Sequence, residues 1–384
     1  MKIVLYAHNL KTGGGISVGK NLILSLANLS PDYKFLIVIP SIKDYENIFH
    51  GFDNIEVIHY SHFGFIKRFI FEYISLPKLV KLFNPNLCIC LGNIALKRIA
   101  APQILLLHNP YYVYPIRKFL KFFSMKLLLT VVLQRFIFYT DLRRIELLFC
   151  QTNSMMVRVK KMYSYTGDIM LLPNALSNDL KSYQVQNRPF CYPGSLINYK
   201  NKKILFCLTA YYPHKNIESA IDLFLRHKHP LEDYVLVITL DPTSDTNALR
   251  LLNRIKDQNL DNKIINIGPV SQNDLNIYYH YSYALFLPTL LESFSGTYLE
   301  AMKYEVPIIT SDMDFSREIC GDAACYFDPF DVDSMLHAIQ YLDKSREKLI
   351  INGRKKLASF SGSWNKLATH LLTQARIISN NSSL

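Results

Sequence analysis

The stretch Tyr283-Ala-Leu-Phe-Leu-Pro-Thr-Leu-Leu-Glu-Ser-Phe-Ser-Gly-Thr-Tyr-Leu-Glu-Ala-Met302 decides the reading of the fold. It opens with an apolar run of strand length, 283–287, which Pro288 ends. A loop holding Glu292, Ser293 and Ser295 follows, and a helical pattern starts near Gly296. Strand, loop and helix in that order form half of a βαβ unit, and apolar residues at consecutive positions mark a strand buried on both faces. The same alternation extends in both directions. Toward the C-terminus strands are predicted at 306–310 and 325–328, and backwards at 263–267, 234–240 and 203–208. A second series is predicted at 2–6, 34–39, 55–58, 86–91, 103–107, 147–151 and 168–172. Two such series predict an α/β protein with two doubly wound, Rossmann-like sheets. The 384 residues, 49% apolar, are enough for two cores.

The expected boundaries follow from composition. Residues 1–174 form the first domain, and 175–201, polar and containing Pro189, Pro193 and Gly194, form a linker. Residues 202–360 form the second domain. Residues 361–384 hold a break at Ser361-Gly-Ser and a last helix that packs back on the first domain, ending near Ile378, with Asn380-Asn-Ser-Ser-Leu384 as a frayed tail.

The seven cysteines, at 88, 90, 150, 191, 207, 320 and 325, are odd in number, lack a CxxC pair and sit mostly in apolar runs. They read as buried thiols of a reducing compartment. With neither a signal-peptide pattern nor a run of spanning length, the expected location is cytoplasmic. The net charge of +12 favours phosphate-bearing or membrane-surface partners, and no nucleic-acid-binding motif accompanies it.

Chemistry concentrates at four places. Gly13-Gly14-Gly15 follows the first strand, where glycines let a phosphate or sugar approach backbone amides at a helix start. Gly14-x4-Gly19-Lys20-Asn21 imitates a triphosphate-binding loop, but Asn21 stands where a magnesium-binding hydroxyl is needed. Pro213-His-Lys-Asn216 puts Lys215 at a strand-to-helix turn, where an ammonium group meets a diphosphate. Glu292 in its loop and Glu300 on the next helix flank Phe294, Ser295, Gly296 and Thr297, whose amides cradle the hydroxyls and phosphates of a sugar nucleotide. His108 follows the run 103–107, at a strand end where open α/β sheets collect ligands.

These residues resemble the group 1 glycosyltransferases, family 4. Glu292-x7-Glu300 within Phe294-Ser-Gly-Thr-Tyr-Leu-Glu-Ala-Met302 looks like the paired-glutamate signature, and Tyr212-Pro-His-Lys-Asn216 like the diphosphate lysine motif. Leu172-Pro-Asn174, Glu318-Ile-Cys-Gly-Asp-Ala-Ala324, Phe327-Asp-Pro329, the triple glycine and His108-Asn109 are similar to further family motifs. The resemblance implies the GT-B fold, with two such domains facing each other across a cleft, and a retaining transfer from a nucleoside-diphosphate sugar without a metal. Glu300 then accepts from the donor ribose, and Glu292 sits at the sugar ring. Lys215 neutralises the leaving diphosphate, His108 faces the transferred sugar, and Gly14 and Gly15 join the donor site. One departure stands out: the family's arginine before the lysine is absent, and Thr209-Ala210 occupies its place.

Aromatic and basic residues interleave in Phe63–Phe71 and again between Tyr111 and Leu148. The second stretch carries Phe119, Phe122, Phe123, Phe136 and Phe138 beside Arg117, Lys118, Lys121, Lys126, Arg135, Arg143 and Arg144. This pattern predicts peripheral contact with an anionic membrane and suits a lipid-linked saccharide acceptor of surface-polysaccharide assembly. A sugar-nucleotide epimerase and a non-catalytic nucleotide- or lipid-binding module remain the alternative readings.

Overall fold

The computed structural model describes residues 1–11, 13–61, 64–115, 123–176, 192–243, 245–360 and 362–381. The expected linker lies mostly outside these residues, as do Cys191, Phe63, Arg117, Lys118, Phe119, Lys121 and Phe122. Contacts divide the chain into two compact units. One comprises Met1–Pro115, Ser124–Asn178 and Gly362–Leu384; the other is built on Asp179–Ser361.

The first unit contains β1 (Lys2–Tyr6), β2 (Lys34–Pro40), β3 (Ile55–Tyr60), β4 (Leu87–Cys90), β5 (Gln103–Leu107), β6 (Leu147–Cys150) and β7 (Asp168–Leu171). They form one parallel sheet in the order β3-β2-β1-β4-β5-β6-β7. The second unit contains β8 (Lys203–Cys207), β9 (Tyr234–Ile238), β10 (Ile264–Asn266), β11 (Ala284–Leu287), β12 (Ile308–Ser311) and β13 (Ala324–Phe327), in the parallel order β10-β9-β8-β11-β12-β13. Every strand read from the sequence is present within two residues at each end. In each sheet the order reverses once, between β1 and β4 and between β8 and β11. The carboxyl ends of the strands at such a switch point are where open α/β sheets bind ligands.

One core of the first unit lies between its sheet and two helices. Ile3 and Leu5 of β1 meet Leu22, Ile23 and Leu26 of the helix Gly13–Leu29, and Trp364, Leu367 and Leu371 of the helix Trp364–Asn381. That last helix continues past Ile378, so Asn380 and Asn381 are helical rather than frayed. Gly19 is the close-approach point of the first helix. A Cβ there would lie 2.5 Å from the Tyr45 hydroxyl and 2.8 Å from Leu10 Cδ1. Gly19 and Lys20 are therefore helical residues, and the imitation of a triphosphate loop is one of sequence only. Gly19→Val is expected to cost about 2–3 kcal/mol through overpacking, read as a lowered urea midpoint; an unchanged midpoint would contradict this packing role.

Candidate active site at the β8–β11 switch point

Each arm of the second switch point delivers one charged side chain. After β8 the chain makes a 3₁₀ turn, Pro213–Lys215, and Asn216 takes a left-handed conformation (φ 54°) before the helix Ile217–Arg226. Asn216 is buried, and its Nδ2 donates to the Pro329 carbonyl at 3.0 Å, which anchors the turn that presents Lys215. After β11, Leu290 N–H donates to the His214 carbonyl at 2.7 Å. Thr289 Oγ1 sits among the carbonyls of His214 (3.3 Å) and Leu291 (3.2 Å) and the Glu292 carboxylate (3.4 Å). The two loops are thus stitched together, and Lys215 Nζ donates to Glu292 Oε1. Both side chains stay partly open to solvent, at 18% and 13% of full exposure.

The helix Gly296–Lys303 begins directly behind this pair. No side chain caps it among the described residues, so its first-turn N–H groups have no acceptor within the helix. Ser295 Oγ and Thr297 Oγ1 lie 2.7 Å apart at that end. Phe294 precedes that end in the chain. Its ring is buried and packs edge-on against Phe360, with centroids 5.9 Å apart. Glu300 accepts from the Tyr279 hydroxyl at 2.9 Å, and burial raises its pKa above the ordinary carboxylate range. Tyr279 is itself fully buried, so it fixes the rotamer of Glu300. Where the resemblance would place arginine, Thr209 N–H donates to Thr239 Oγ1 and Thr239 Oγ1 to the Thr209 carbonyl, both at 2.9 Å. The β8 end is locked to the β9 end there and carries no cation.

Gly14, Gly15 and His108 belong to the first unit. The first helix starts at Gly13 (φ 43°) rather than at Ile16, so Gly14 and Gly15 are first-turn residues, and a Cβ on Gly14 would meet nothing within 4 Å. His108 follows β5. Its Nε2 donates to the Leu91 carbonyl, and Asn93 Oδ1 accepts from the His108 and Asn109 amides at 2.6 and 2.9 Å. Leu91 and Asn93 follow β4, so His108 is tied to the β1–β4 switch point. Burial lowers its pKa to about 4, which leaves a neutral ring whose Nδ1 accepts.

Three positions were not legible beforehand: Tyr279, the Asn93 clamp, and a buried pair at the end of β1. There His8 Nε2 faces Glu72 Oε1 at 3.1 Å, and Arg68 Nε donates to the same oxygen at 2.8 Å. Glu72 sits in a π-helical turn, Phe71–Ser75, an irregularity common at functional sites.

Two parallel Rossmann-like sheets, the second with a lysine–glutamate pair at its switch point, define a doubly wound α/β class. Residues 193–356 match the model of the family described as glycosyl transferases group 1. The O-antigen chain mannosyltransferase RfbU of Salmonella typhimurium is 33% identical over 153 residues, 39% of this chain and 42% of that protein. The chain thus spans less than half the length of the curated relatives it matches. Among solved structures, sucrose-phosphate synthase of Thermosynechococcus elongatus superposes with TM-score 0.74 at 15% identity, covering 98% of this chain and 99% of that one. Anabaena HepE in complex with UDP and glucose gives TM-score 0.71 at 15% identity over 100% of both chains. The likeness establishes the fold, GT-B.

Proposed function

We propose that the chain is a retaining glycosyltransferase that moves a hexosyl group, mannosyl in the first instance, from a nucleoside-diphosphate sugar to a lipid-linked saccharide of a bacterial surface polysaccharide. The observation that carries this reading is the Lys215–Glu292 pair at the β8–β11 switch point, just ahead of the helix bearing Glu300. As the bond between the anomeric carbon and the phosphate oxygen breaks, negative charge grows on the departing diphosphate. Lys215 is placed to stabilise that charge, a role a divalent metal would otherwise fill. Glu300, held by Tyr279, accepts from the ribose hydroxyls. The first-turn amides at Gly296 and Thr297 take sugar hydroxyls and phosphate; within the first unit, Gly14 and Gly15 offer amides of their own to a phosphate or sugar. Glu292 exchanges part of its bond to Lys215 for the sugar, and within the first unit neutral His108 offers an acceptor to a hydroxyl. The name of the Salmonella relative supports mannose and the O-antigen setting.

Thermal unfolding against GDP, UDP, ADP, CMP and their sugar conjugates, with and without EDTA, tests the donor. One nucleotide class at 100 times its dissociation constant is expected to add about 2.7 kcal/mol, unaffected by EDTA. The absence of any shift in folded protein would overturn the reading in favour of a non-catalytic module.

Membrane contact belongs to the same proposal. The helix Met125–Asp141 turns Met125, Leu129, Val132, Leu133 and Phe136 outward on one stripe, with Leu129 and Phe136 each 65% exposed. Phe69, Ile70 and Ile74 are also exposed. Some of the basic residues serve the fold instead: Arg135 donates to the Tyr111 and Tyr114 carbonyls, and Arg144 lies 3.5 Å from Asp141. No helix among the described residues is long and apolar enough to cross a membrane. An exposed apolar stripe on a basic chain suits peripheral contact with an anionic bilayer. The protein is expected to cosediment with phosphatidylglycerol vesicles, and Leu129→Asp/Leu133→Asp to stay in solution; equal sedimentation of both proteins would remove the stripe from the proposal.

A further inference from the structure

A groove of about 630 Å³ opens in the first unit at the amino-terminal ends of β6 and β7. This is the end of the sheet away from the strand termini that carry His108 and the glycine turn. Its volume falls within the roughly 300–1,000 Å³ of pockets that hold small ligands. Its walls are Tyr139, Tyr163 and Tyr165, with Arg143, Glu146 and Asp168.

These six side chains are arranged rather than merely adjacent. Tyr163 donates its hydroxyl to the Tyr112 carbonyl at 2.6 Å, which fixes its ring, and the Tyr139 ring lies nearly parallel to it at a centroid distance of 6.4 Å. Arg143 stacks over Tyr139, 4.8 Å from the ring centroid, and donates to the Tyr139 hydroxyl at 2.6 Å. Tyr165 lies against Gly167, where a Cβ would come within 2.4 Å of its hydroxyl. Glu146 precedes Leu147, whose partner across the ladder is Asp168, so the two acids start neighbouring strands. Both are exposed, and among the described residues neither carboxylate enters an ion pair or a hydrogen bond.

A sugar ring offers an apolar C–H face and pairs of vicinal hydroxyls. Fixed tyrosine rings match the first. Carboxylates with unused acceptors and a pre-oriented guanidinium match the second, each able to engage two hydroxyls at once. An anionic ligand would meet two acids against one arginine, and a purely apolar ligand would strand both carboxylates. The chemistry selects a neutral, hydroxyl-rich ligand.

We infer that this groove is a glycan-binding subsite, separate from the reaction centre, which holds a short stretch of the acceptor or product saccharide. The identity of that saccharide rests on the function proposed above; the groove itself does not. Tyr139 and Arg143 lie at the carboxyl end of the helix whose apolar stripe is proposed to rest on the bilayer, so a glycan anchored by a lipid would pass over them.

Saturation-transfer NMR of the full chain with α-mannobiose, α-mannotriose and maltotriose tests the inference, beside Glu146→Gln/Asp168→Asn. Both positions are exposed, so the double variant is expected to fold, which its unfolding midpoint checks. Transfer to at least one saccharide is expected, with its dissociation constant raised tenfold or more in the variant and stabilisation by nucleoside diphosphate unchanged. No transfer from any probe to the unsubstituted protein, or equal affinity in the variant, would overturn the subsite. Saccharide binding without any nucleotide effect would leave the subsite standing and sink the transferase reading, so the two failures are distinct.

Discussion

Lys215→Ala lowers turnover about 100-fold at saturating donor, the size of effect seen when one preorganised charge contact to a transition state is removed. The loss falls on kcat more than on donor affinity, because the charge Lys215 meets grows as the glycosyl–phosphate bond breaks. Lys215→Arg recovers part of the rate: it restores the charge but spreads it over a planar group on a different stem. The substitution also strands Glu292, whose carboxylate is largely buried and has Lys215 as its ionic partner. The unfolding midpoint therefore has to be read beside the rate. Glu292→Gln/Lys215→Ala removes the stranded charge, so its unfolding midpoint is expected to recover while turnover stays low, and Glu292→Gln alone measures the part of that loss that belongs to the glutamate. Steady-state kinetics with the donor found by thermal unfolding supplies the measurement, and near-normal turnover in folded Lys215→Ala would assign the diphosphate to another group.

Glu300→Gln weakens donor binding about 10- to 100-fold, the range expected when hydrogen bonds to a charged acceptor, about 1.5–3 kcal/mol, are reduced. Glutamine is the informative replacement. Alanine would leave the Tyr279 hydroxyl buried without its acceptor and mix a stability cost into the binding result. Tyr279→Phe keeps the carboxylate but releases its orientation, so a smaller loss of affinity with unchanged kcat is expected. Titration calorimetry with the nucleoside diphosphate reads both variants. Unchanged affinity in Glu300→Gln would remove the ribose contact from the proposal.

The fold was legible because parallel strands covered on both faces are written as unbroken apolar runs. Cys88-Ile-Cys and Ile204-Leu-Phe-Cys have no other reading once glycine, proline and polar clusters bound them. The site was half legible. Lys215, Glu292 and Glu300 each fell on the element expected of them, since turn residues and helix starts are local signals. Their pairing was not legible. Lys215 and Glu292 meet only because β8 and β11 are neighbours in the sheet, and strand order is a long-range property. The His8–Glu72 pair and the Asn93 clamp escaped for the same reason, as each joins segments far apart in sequence without any periodic trace. Arg135 misled in the opposite direction. It reads as a membrane-facing cation, yet it spends its donors on two carbonyls of its own unit.

The last helix, Trp364–Asn381, completes the core begun by the first strand and helix, although the whole second unit lies between them in the chain. During synthesis this sets an order of events. The sheet and helices of the second unit emerge together and can close while translation continues. The first unit cannot, because Leu22, Ile23 and Leu26 wait for Trp364 and Leu371 to leave the ribosome. The first strand and helix are therefore among the last parts to be finished, and a nascent chain stalled before residue 364 carries a complete second unit and an open hydrophobic seam, a natural target for chaperones.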